Sequence, residues 1–447
     1  MTFTKFGKAI LMSALSAAVA LSVSSCVESY TVGFLYVTGT ITSGSSGNGI
    51  ISGFRIDHNT GRLRAIDGLP ISSGGANPVR AVLITGSRFL YILNRGVNSS
   101  GGSDCTTADP CQNSNITEFS VGGNGILTAQ ETFFTQGINP FRLIGDSSGN
   151  YLYVLDHDAP SSAACALALG SAATTTCGDI TAFQVNQTTG RLSLVVNAQV
   201  SAASGTPLPY FPVPADPIDF AFSSGYILTL SGTPTTGDVA FPYAFNSSSG
   251  QLTISQNSAQ PLTIYQGTSI VSGTGYIYVL DNEPITIPPG ATGSFPAGTY
   301  PSQILPFTVG TGGALQAQTG GTVPDDATLA NPIYLLVESK SKFLYVANQG
   351  NNTQGTSPTS GLAGYVIDPS THQLSFIAGE PFGSGSGPQC LVEDPSDQFI
   401  YSADFNDSSV TGRVVDPNSG VLNNLRVASS YALQGPATWC VVDGRTG

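Results

Sequence analysis

The chain has 447 residues, a formal net charge of −13 and only 10% charged residues. Its hydrophobic content of 40% is ample for a large core, which excludes an intrinsically disordered chain. The acidic balance makes nucleic acid and anionic membrane surfaces poor partners. With 53 Gly, 22 Phe and 17 Tyr but only two Met, the composition favours an all-β protein.

The N-terminal segment has the pattern of an export signal. Lys5 and Lys8 precede an apolar run over residues 9–23, and the sequence then reads "VSSC" (23–26). We therefore predict a signal peptide over residues 1–25. Its removal takes away two lysines and no acid, so that the net charge becomes −15 instead of −13.

The end of this segment resembles a bacterial lipobox. We predict that Cys26 is lipidated and that residues 26–33 form an anchor or linker. The protein would then be held at the cell envelope, in the periplasm or on the outer surface. The alternative is an ordinary secreted protein that is cleaved near Ser25. No other segment is apolar enough to span a bilayer.

A short aromatic and aliphatic segment recurs seven times along the chain. Each copy has the composition of a buried β-strand and ends at a small or polar residue. We call these segments B strands. They are "FLYVTG" (34–39), "FLYILN" (89–94), "YLYVLD" (151–156), "YILTLS" (226–231), "YIYVLD" (276–281), "FLYVAN" (343–348) and "FIYSAD" (399–404).

Each B strand is followed by a hairpin and preceded by a strand that often begins at Pro. In the hairpins "GFRIDHNTGRL" (53–63) and "GYVIDPSTHQL" (364–374), a polar turn separates strand C from a Leu-led strand D. The preceding strand A is clearest in "NPVRAVLI" (77–84) and "NPIYLLV" (331–337). Pro suits a strand entrance, because its missing N–H costs no ladder bond there.

The repeat therefore has four strands, and seven such units in series predict a β-propeller. We expect one domain over residues 34–447, an all-β seven-bladed propeller with four antiparallel strands per blade. The first unit lacks strand A, and the chain ends in a strand A (436–443) with nothing after it. We predict that this strand joins the N-terminal strands B, C and D (34–69) in one blade, which closes the ring.

These motifs resemble the seven-bladed β-propeller lactonase family, which includes bacterial 6-phosphogluconolactonase and the YVTN-repeat proteins. The resemblance rests on the "FLYVAN"-type strands, the "IDPSTHQL" and "IDHNTGRL" hairpins and the "NP" strand starts, and it extends from about residue 34 to 443. It implies a propeller fold and, if the protein is an enzyme, a lactonase-like hydrolase of carboxylic esters. No local motif carries the catalytic residues of that family over to this chain.

Six cysteines remain after Cys26, an even number that is typical of disulfides in an exported chain. Cys105 and Cys111 share one loop, as do Cys165 and Cys177, so we predict these two bridges. Cys390 and Cys440 lie on strands A of neighbouring blades. They would be bridged if their Cα atoms lie within about 7 Å, and would otherwise be small core residues.

The long insertions fall between strands B and C, which places them all on one face of the propeller, where we expect the functional site. Lactone hydrolysis needs a base and a cationic or N–H donor for the oxyanion. Our candidate catalytic residues are His157, Arg80, Arg142 and Glu283. We expect the last residues of strands B to open onto this face. The candidate binding residues are Asn94, Arg95, Asp156, Asp281, Asn348 and Asp404.

We expect strand A to line the channel two residues after its Pro, with Arg80, Arg142, Asp219, Tyr334, Cys390 and Thr438. The next residue, such as Trp439, would pack between blades. The alternative for His157 is a solvated loop residue, and for the aspartates a capping role. His58 and His372 fall in C–D turns on the opposite face.

Two functions remain open from the sequence. The first is hydrolysis of an unphosphorylated lactone or sugar derivative, because this face shows few basic groups for a phosphate. The second is a non-catalytic propeller that binds a glycan, peptide or protein. We expect no cofactor and a monomer. The strand-end aspartates Asp156, Asp281 and Asp404 could hold a hard cation such as Ca²⁺, but we predict no metal site.

Overall fold

The computed structural model describes residues 30–41, 48–84, 88–169, 176–255, 259–289, 295–318, 320–350 and 360–444. They form seven antiparallel sheets arranged as a ring, so the predicted seven-bladed propeller is confirmed. The predicted signal peptide and Cys26 lie outside the described residues. Within those residues, no helix is both long and apolar enough for a membrane span.

Each blade has its strands in the order A, B, C, D from the centre outwards. Blade 1 contains Pro78–Leu83, Phe89–Asn94, Asn115–Val121 and Leu127–Phe133. Blade 2 contains Ile138–Gly145, Tyr151–Asp158, Gly178–Val185 and Leu192–Leu194. Blade 3 contains Pro217–Ser223, Tyr226–Thr233, Gly237–Phe245 and Leu252–Ile254. Blade 4 contains Gly267–Gly273, Tyr276–Asp281, Gln303–Val309 and Leu315–Ala317.

The remaining blades follow the same order. Blade 5 contains Pro332–Val337, Phe343–Asn348, Gly361–Ile367 and Leu374–Phe376. Blade 6 contains Pro388–Glu393, Phe399–Asp404, Ser409–Val415 and Leu422–Asn424. Blade 7 contains Ala437–Asp443, Thr31–Thr40, Asn48–Asp57 and Leu63–Ala65. The long loop of blade 2 carries helix α1 (Ser162–Leu169), and that of blade 4 carries the hairpin Ile285–Ile287 and Gly298–Tyr300.

Strand D is only three residues long in six blades and covers one half of strand C. In five blades the connection to the next strand A adds a short fifth strand that covers the other half, which the sequence did not predict. These fifth strands are Ile71–Ala76, Phe211–Val213, Gln260–Pro261, Val323–Pro324 and Ser430–Ala432. The connection from D to A therefore crosses the end of strand B on the face that carries the long B–C loops.

The two ends of the described chain meet in blade 7. Phe34 pairs with Asp443, and Val37 pairs with Cys440, which confirms the predicted pairing of the first strand B with the last strand A. Because the N-terminal strand lies between its own strand C and the C-terminal strand, the ring has no open edge at this seam. The seam is held by backbone hydrogen bonds and by the buried side chains of both termini.

A tyrosine in strand B bonds each of six blades to the next one. Its buried hydroxyl donates to a backbone carbonyl in the C–D turn of the neighbouring blade, and we call this bond the tyrosine latch. The donor–acceptor pairs are Tyr36–Gly125, Tyr91–Gly190, Tyr153–Gly250, Tyr278–His372, Tyr345–Gly420 and Tyr401–Gly61. Blade 3 has Leu228 at this position, and there the hydroxyl of Tyr226 accepts from Gly312 N of blade 4 at 2.8 Å.

The latches explain the glycine of the C–D turns. Gly420 has φ +76°, and a Cβ there would lie 2.5 Å from the Phe343 ring of the preceding blade. Glycine thus supplies the left-handed turn and also lets the carbonyl approach the tyrosine. In blade 5, His372 takes the same conformation with φ +56°.

Three disulfides are present. Cys105–Cys111 and Cys165–Cys177 confirm the two predicted loop bridges. Cys390 and Cys440 form the third, with Cα atoms 6.0 Å apart, so the possibility left open by the sequence is settled as a bridge. It joins strands A of blades 6 and 7 and ties the C-terminal strand to its neighbour.

Candidate functional site

One residue of each strand A occupies the same register position beside the central channel. A register shift lies directly before this residue in every strand A, so its position is set by the shift and not by counting from Pro. We call the seven residues the channel ring. They are Arg80, Arg142, Asp219, Ser269, Tyr334, Cys390 and Trp439.

This register corrects one prediction. In blade 7, Trp439 occupies the position of Arg80, while Thr438 lies one residue nearer the loop face. Counting two residues after Pro fails there because Ala437, and not Pro436, is the residue paired before the shift. The expected packing role of Trp439 holds in part, because its ring lines the lower cavity and also packs against the hydrophobic clusters on both sides of blade 7.

The channel ring separates two cavities. The upper cavity, of about 290 Å³, opens on the face of the long loops, and its lining includes Arg80, Arg95, Arg142, His157, Phe405 and Thr438. The lower cavity, of about 300 Å³, extends towards the A–B turns between largely apolar walls. Arg80 and Arg142 line both.

The structure brings together three of the four predicted catalytic residues. His157, Arg80 and Arg142 line the upper cavity, and the predicted binding residue Arg95 lines it too. Glu283 is not among the described residues that line this cavity. It lies on blade 4, where its charge acts on the carboxyl groups of Asp238 and Asp281. The catalytic role of Glu283 stays a prediction, which its position outside the lining of the upper cavity does not favour.

His157 is held by a carboxylate. Its Nδ1 lies 3.2 Å from Oδ2 of Asp158, while its Nε2 lies 3.9 Å from Oδ1 of the exposed Asp216, which is too far for a hydrogen bond. The hydrogen bond to Asp158 raises the pKa of His157, and the same bond contributes to lowering the pKa of Asp158 against its burial. This orienting role of Asp158 was not predicted from the sequence.

The disulfide loop of blade 1 holds Asp158 in place through hydrogen bonds. Thr107 Oγ1 donates to Asp158 at 2.8 Å, and Asn139 Nδ2 donates to it at 2.9 Å. Asn139 also accepts from the backbone N–H of Cys111 at 2.7 Å. The Cys105–Cys111 bridge therefore stiffens a loop that orients the histidine of the next blade.

The arginines differ in their partners. Arg142 Nε lies 3.0 Å from Oδ1 of Asp219, which forms an ion pair within the channel ring. Arg95 has a buried Nε without a hydrogen-bond partner, and burial lowers its pKa, as does the charge of Arg142. Three arginines at one cavity correct the expectation that this face offers few basic groups. They converge because they come from blades 1 and 2, which are adjacent in the ring.

The predicted strand-end residues lie elsewhere. Asn94, Asp156, Asp281, Asn348 and Asp404 are all fully buried, so their predicted exposure at the channel mouth is wrong. The D–A connection covers them, often at a glycine: a Cβ on Gly137 would lie 2.4 Å from that of Asp156, and one on Gly385 would lie 2.8 Å from that of Asp404. The binding role of these five residues stays a prediction, which their burial does not favour.

The buried strand-end carboxyl groups have raised pKa values. Burial raises the pKa of Asp156 to about 7, and that of Asp281 and Asp404 to about 6. Asp179 lies beside Asp156, and its burial and the neighbouring charge raise its pKa well above its ordinary value. Hydroxyl donors hold these groups in place, such as Thr181 on Asp156 and Thr411 on Asp404. Their role in the structure is to cap the strand ends.

Within the described ranges, no three His, Cys, Asp or Glu side chains are grouped as a metal ion would require. The arrangement of the upper cavity instead offers a carboxylate-held imidazole and guanidinium groups. These can activate a water molecule and stabilise a developing negative charge.

The fold is that of a seven-bladed β-propeller. Residues 302–442 match the family described as "Lactonase, 7-bladed beta-propeller", which confirms the predicted resemblance over about a third of the chain. No curated protein matches the chain.

Solved structures with the same fold cover nearly the whole chain. The periplasmic gluconolactonase PpgL of Pseudomonas aeruginosa has a TM-score of 0.62 at 16% identity, over 92% of this chain and 99% of that protein. A Bacteroides fragilis protein described as a candidate 6-phosphogluconolactonase has a TM-score of 0.61 at 15% identity, over 92% and 98%. At these identities the likeness shows the fold alone.

Proposed function

We propose that the propeller hydrolyses an unphosphorylated lactone, or a similar cyclic sugar ester, in the upper cavity. The observation that carries this proposal is His157, which is bonded through Nδ1 to Asp158 and lines the same cavity as Arg95 and Arg142. The resemblance of residues 302–442 to the lactonase family supports the reaction class. The three disulfides are compatible with a location outside the cytoplasm, where the enzyme would meet free sugar lactones.

In this mechanism neutral His157 acts as the general base. Its Nδ1–H donates to Asp158, which leaves Nε2 to take a proton from water as the water oxygen attacks the lactone carbonyl. Arg95 and Arg142 stabilise the oxyanion of the tetrahedral intermediate. The ring C–O bond then breaks, and the departing oxygen takes the proton back from His157, so that the product is the open hydroxy acid.

The test is turnover by purified residues 27–447 of glucono-1,5-lactone, glucono-1,4-lactone and glucaro-1,4-lactone, above the uncatalysed rate. We expect His157→Gln to lower kcat by about 10²–10⁴-fold. His58→Gln is the matched control, because His58 stacks on Tyr30 at a ring distance of 4.4 Å and does not line the upper cavity. Turnover that is absent, or equal in the His157 variant, would contradict the proposal.

The pH dependence gives an independent readout. Only the neutral imidazole is a base, and the bond to Asp158 raises the pKa of His157 above its ordinary value. Activity should therefore fall as the pH drops through this raised pKa, and level off above it. Asp158→Asn should move the step in kcat/KM to lower pH. A profile that Asp158→Asn leaves unchanged would argue against His157 as the base.

A further inference from the structure

The lower cavity has no part in the proposed hydrolysis, yet it has the size of a small-molecule site, at about 300 Å³. Its walls are apolar and come from the inner strands of several blades. Phe220 and Phe222 of blade 3, Ile270 of blade 4 and Leu335 of blade 5 line it. Such walls favour an apolar ligand, because binding removes the apolar surfaces of both the ligand and the walls from water.

The roof of this cavity is the channel ring, where one acid is fully engaged. Asp219 Oδ1 pairs with Arg142 Nε at 3.0 Å, and its Oδ2 accepts from Ser269 Oγ at 2.9 Å and from Ile270 N at 3.1 Å. Both oxygens of Asp219 are thus bonded to neighbours other than Arg80. The charge of Asp219 also acts on the second guanidinium of the ring, but its direct ion pair is with Arg142.

That guanidinium belongs to Arg80. Its Nη1 donates to the carbonyl of Val79 at 2.7 Å, and its Cζ lies 3.8 Å from the ring centroid of Trp439. Among the described residues, no carboxylate lies within salt-bridge distance of it. Arginine stays charged at physiological pH, and a shielded charge without a counter-ion is costly. A carboxylate in the cavity would offset this cost.

We propose that the lower cavity binds a small aromatic carboxylate, with its carboxylate on Arg80 and its ring among Phe220, Phe222 and Ile270. The site is distinct from the upper cavity but shares Arg80 with it. The ring edge of Tyr334, which packs on Trp439 at a centroid distance of 5.0 Å, closes the polar end. The polar roof and the apolar walls match the two ends of such a ligand.

The chain supplies its own reporter for the test. Trp439 is its single tryptophan and lines the lower cavity. Under selective tryptophan excitation, benzoate should change the fluorescence saturably. Benzamide has the same shape without the charge, and its affinity should be lower by a factor of about ten or more. No saturable change with benzoate would overturn the proposal.

Three variants place the ligand. Ala221→Phe fills the lower cavity, which Ala221 lines without reaching the upper one, so it should weaken benzoate binding about tenfold or more and leave lactone turnover unchanged. Ser272→Leu obstructs the same cavity and serves if the first variant does not fold. Arg80→Met should remove the preference for benzoate over benzamide. Benzoate binding that survives Ala221→Phe and Ser272→Leu would place the anion outside the lower cavity and overturn the proposal.

Discussion

The tyrosine latch of strand B and the channel ring of strand A each recur around the propeller. The residue type is nearly constant at the latch position but varies from blade to blade at the channel position. Six blades use the same tyrosine hydroxyl and the same kind of turn carbonyl. The channel ring instead has two arginines and five other residue types, with a single acid, Asp219. The fold needs one bond repeated at each blade interface, whereas a site needs different groups meeting at one point.

The difference indicates that the latch positions serve stability and the channel positions serve binding or chemistry. The latch hydroxyls lie between blades, where each bond contributes about 0.5–1.5 kcal/mol to the free energy of unfolding. The channel residues lie between two cavities, where charge can meet a ligand. We therefore expect changes to the frame to affect stability most, and changes to the channel ring to affect binding most.

The largest expected effect comes from opening the frame at its seam. Deletion of residues 436–447 removes strand A of blade 7, and with it the partners of Phe34–Gly39 and the Cys390–Cys440 bridge. The loss should approach the whole stability of a folded domain, about 5–15 kcal/mol, because the N-terminal strand B then presents an open edge and the ring loses its closing strand. Thermal unfolding followed by circular dichroism measures it.

The control for this deletion keeps the strand and removes only the bridge. Cys390→Ala with Cys440→Ala should lower the free energy of unfolding by about 2–5 kcal/mol while the propeller stays folded. If the deletion cost no more than this pair of substitutions, closure by the C-terminal strand would be unimportant.

A smaller effect is expected from one latch. In Tyr345→Phe the carbonyl of Gly420 loses its 2.7 Å bond while buried, so the free energy of unfolding should fall by about 1–3 kcal/mol. Tyr300→Phe is the matched control, because the Tyr300 hydroxyl bonds to Pro296 four residues away and joins no two blades. Equal losses in denaturant titrations of the two variants would show that the bond between blades has no special weight.

The smallest change in stability is expected in the channel ring. Arg80→Met removes a guanidinium without a counter-ion and keeps an apolar contact with Trp439, so the free energy of unfolding should stay within about 1 kcal/mol of the wild type. The same denaturant titration measures it. A loss as large as that of Tyr345→Phe would make Arg80 part of the frame and remove the contrast between the two positions.

Most of the frame could be predicted from local patterns. Strands B stand out by composition, and polar turns that contain glycine mark the hairpins. Gly61 and Gly420 in these turns do adopt positive φ. The latch itself was not predicted, although its tyrosine and glycine were both part of the repeat. Their contact joins residues such as Tyr345 and Gly420, 75 positions apart.

The candidate site was predicted less completely. His157, Arg80, Arg142 and Arg95 do share one cavity, but Glu283 lies on another blade. The predicted exposure of the strand-end residues was wrong, because it depends on the D–A connections. These connections cross over Asp156 and Asp404 at glycines. A pattern of alternating side chains cannot show which loop covers a strand end.

The sequence by itself determined the number of blades, the order of the strands and the pairing of the two termini. These follow from short-range alternation and turn chemistry, which repeat often enough to be recognised. The tertiary structure decided which side chains meet: the channel ring, the hold of Asp158 on His157 and the third disulfide. Each depends on the register shift of strand A or on contacts between blades, and such contacts exist only once the ring is closed.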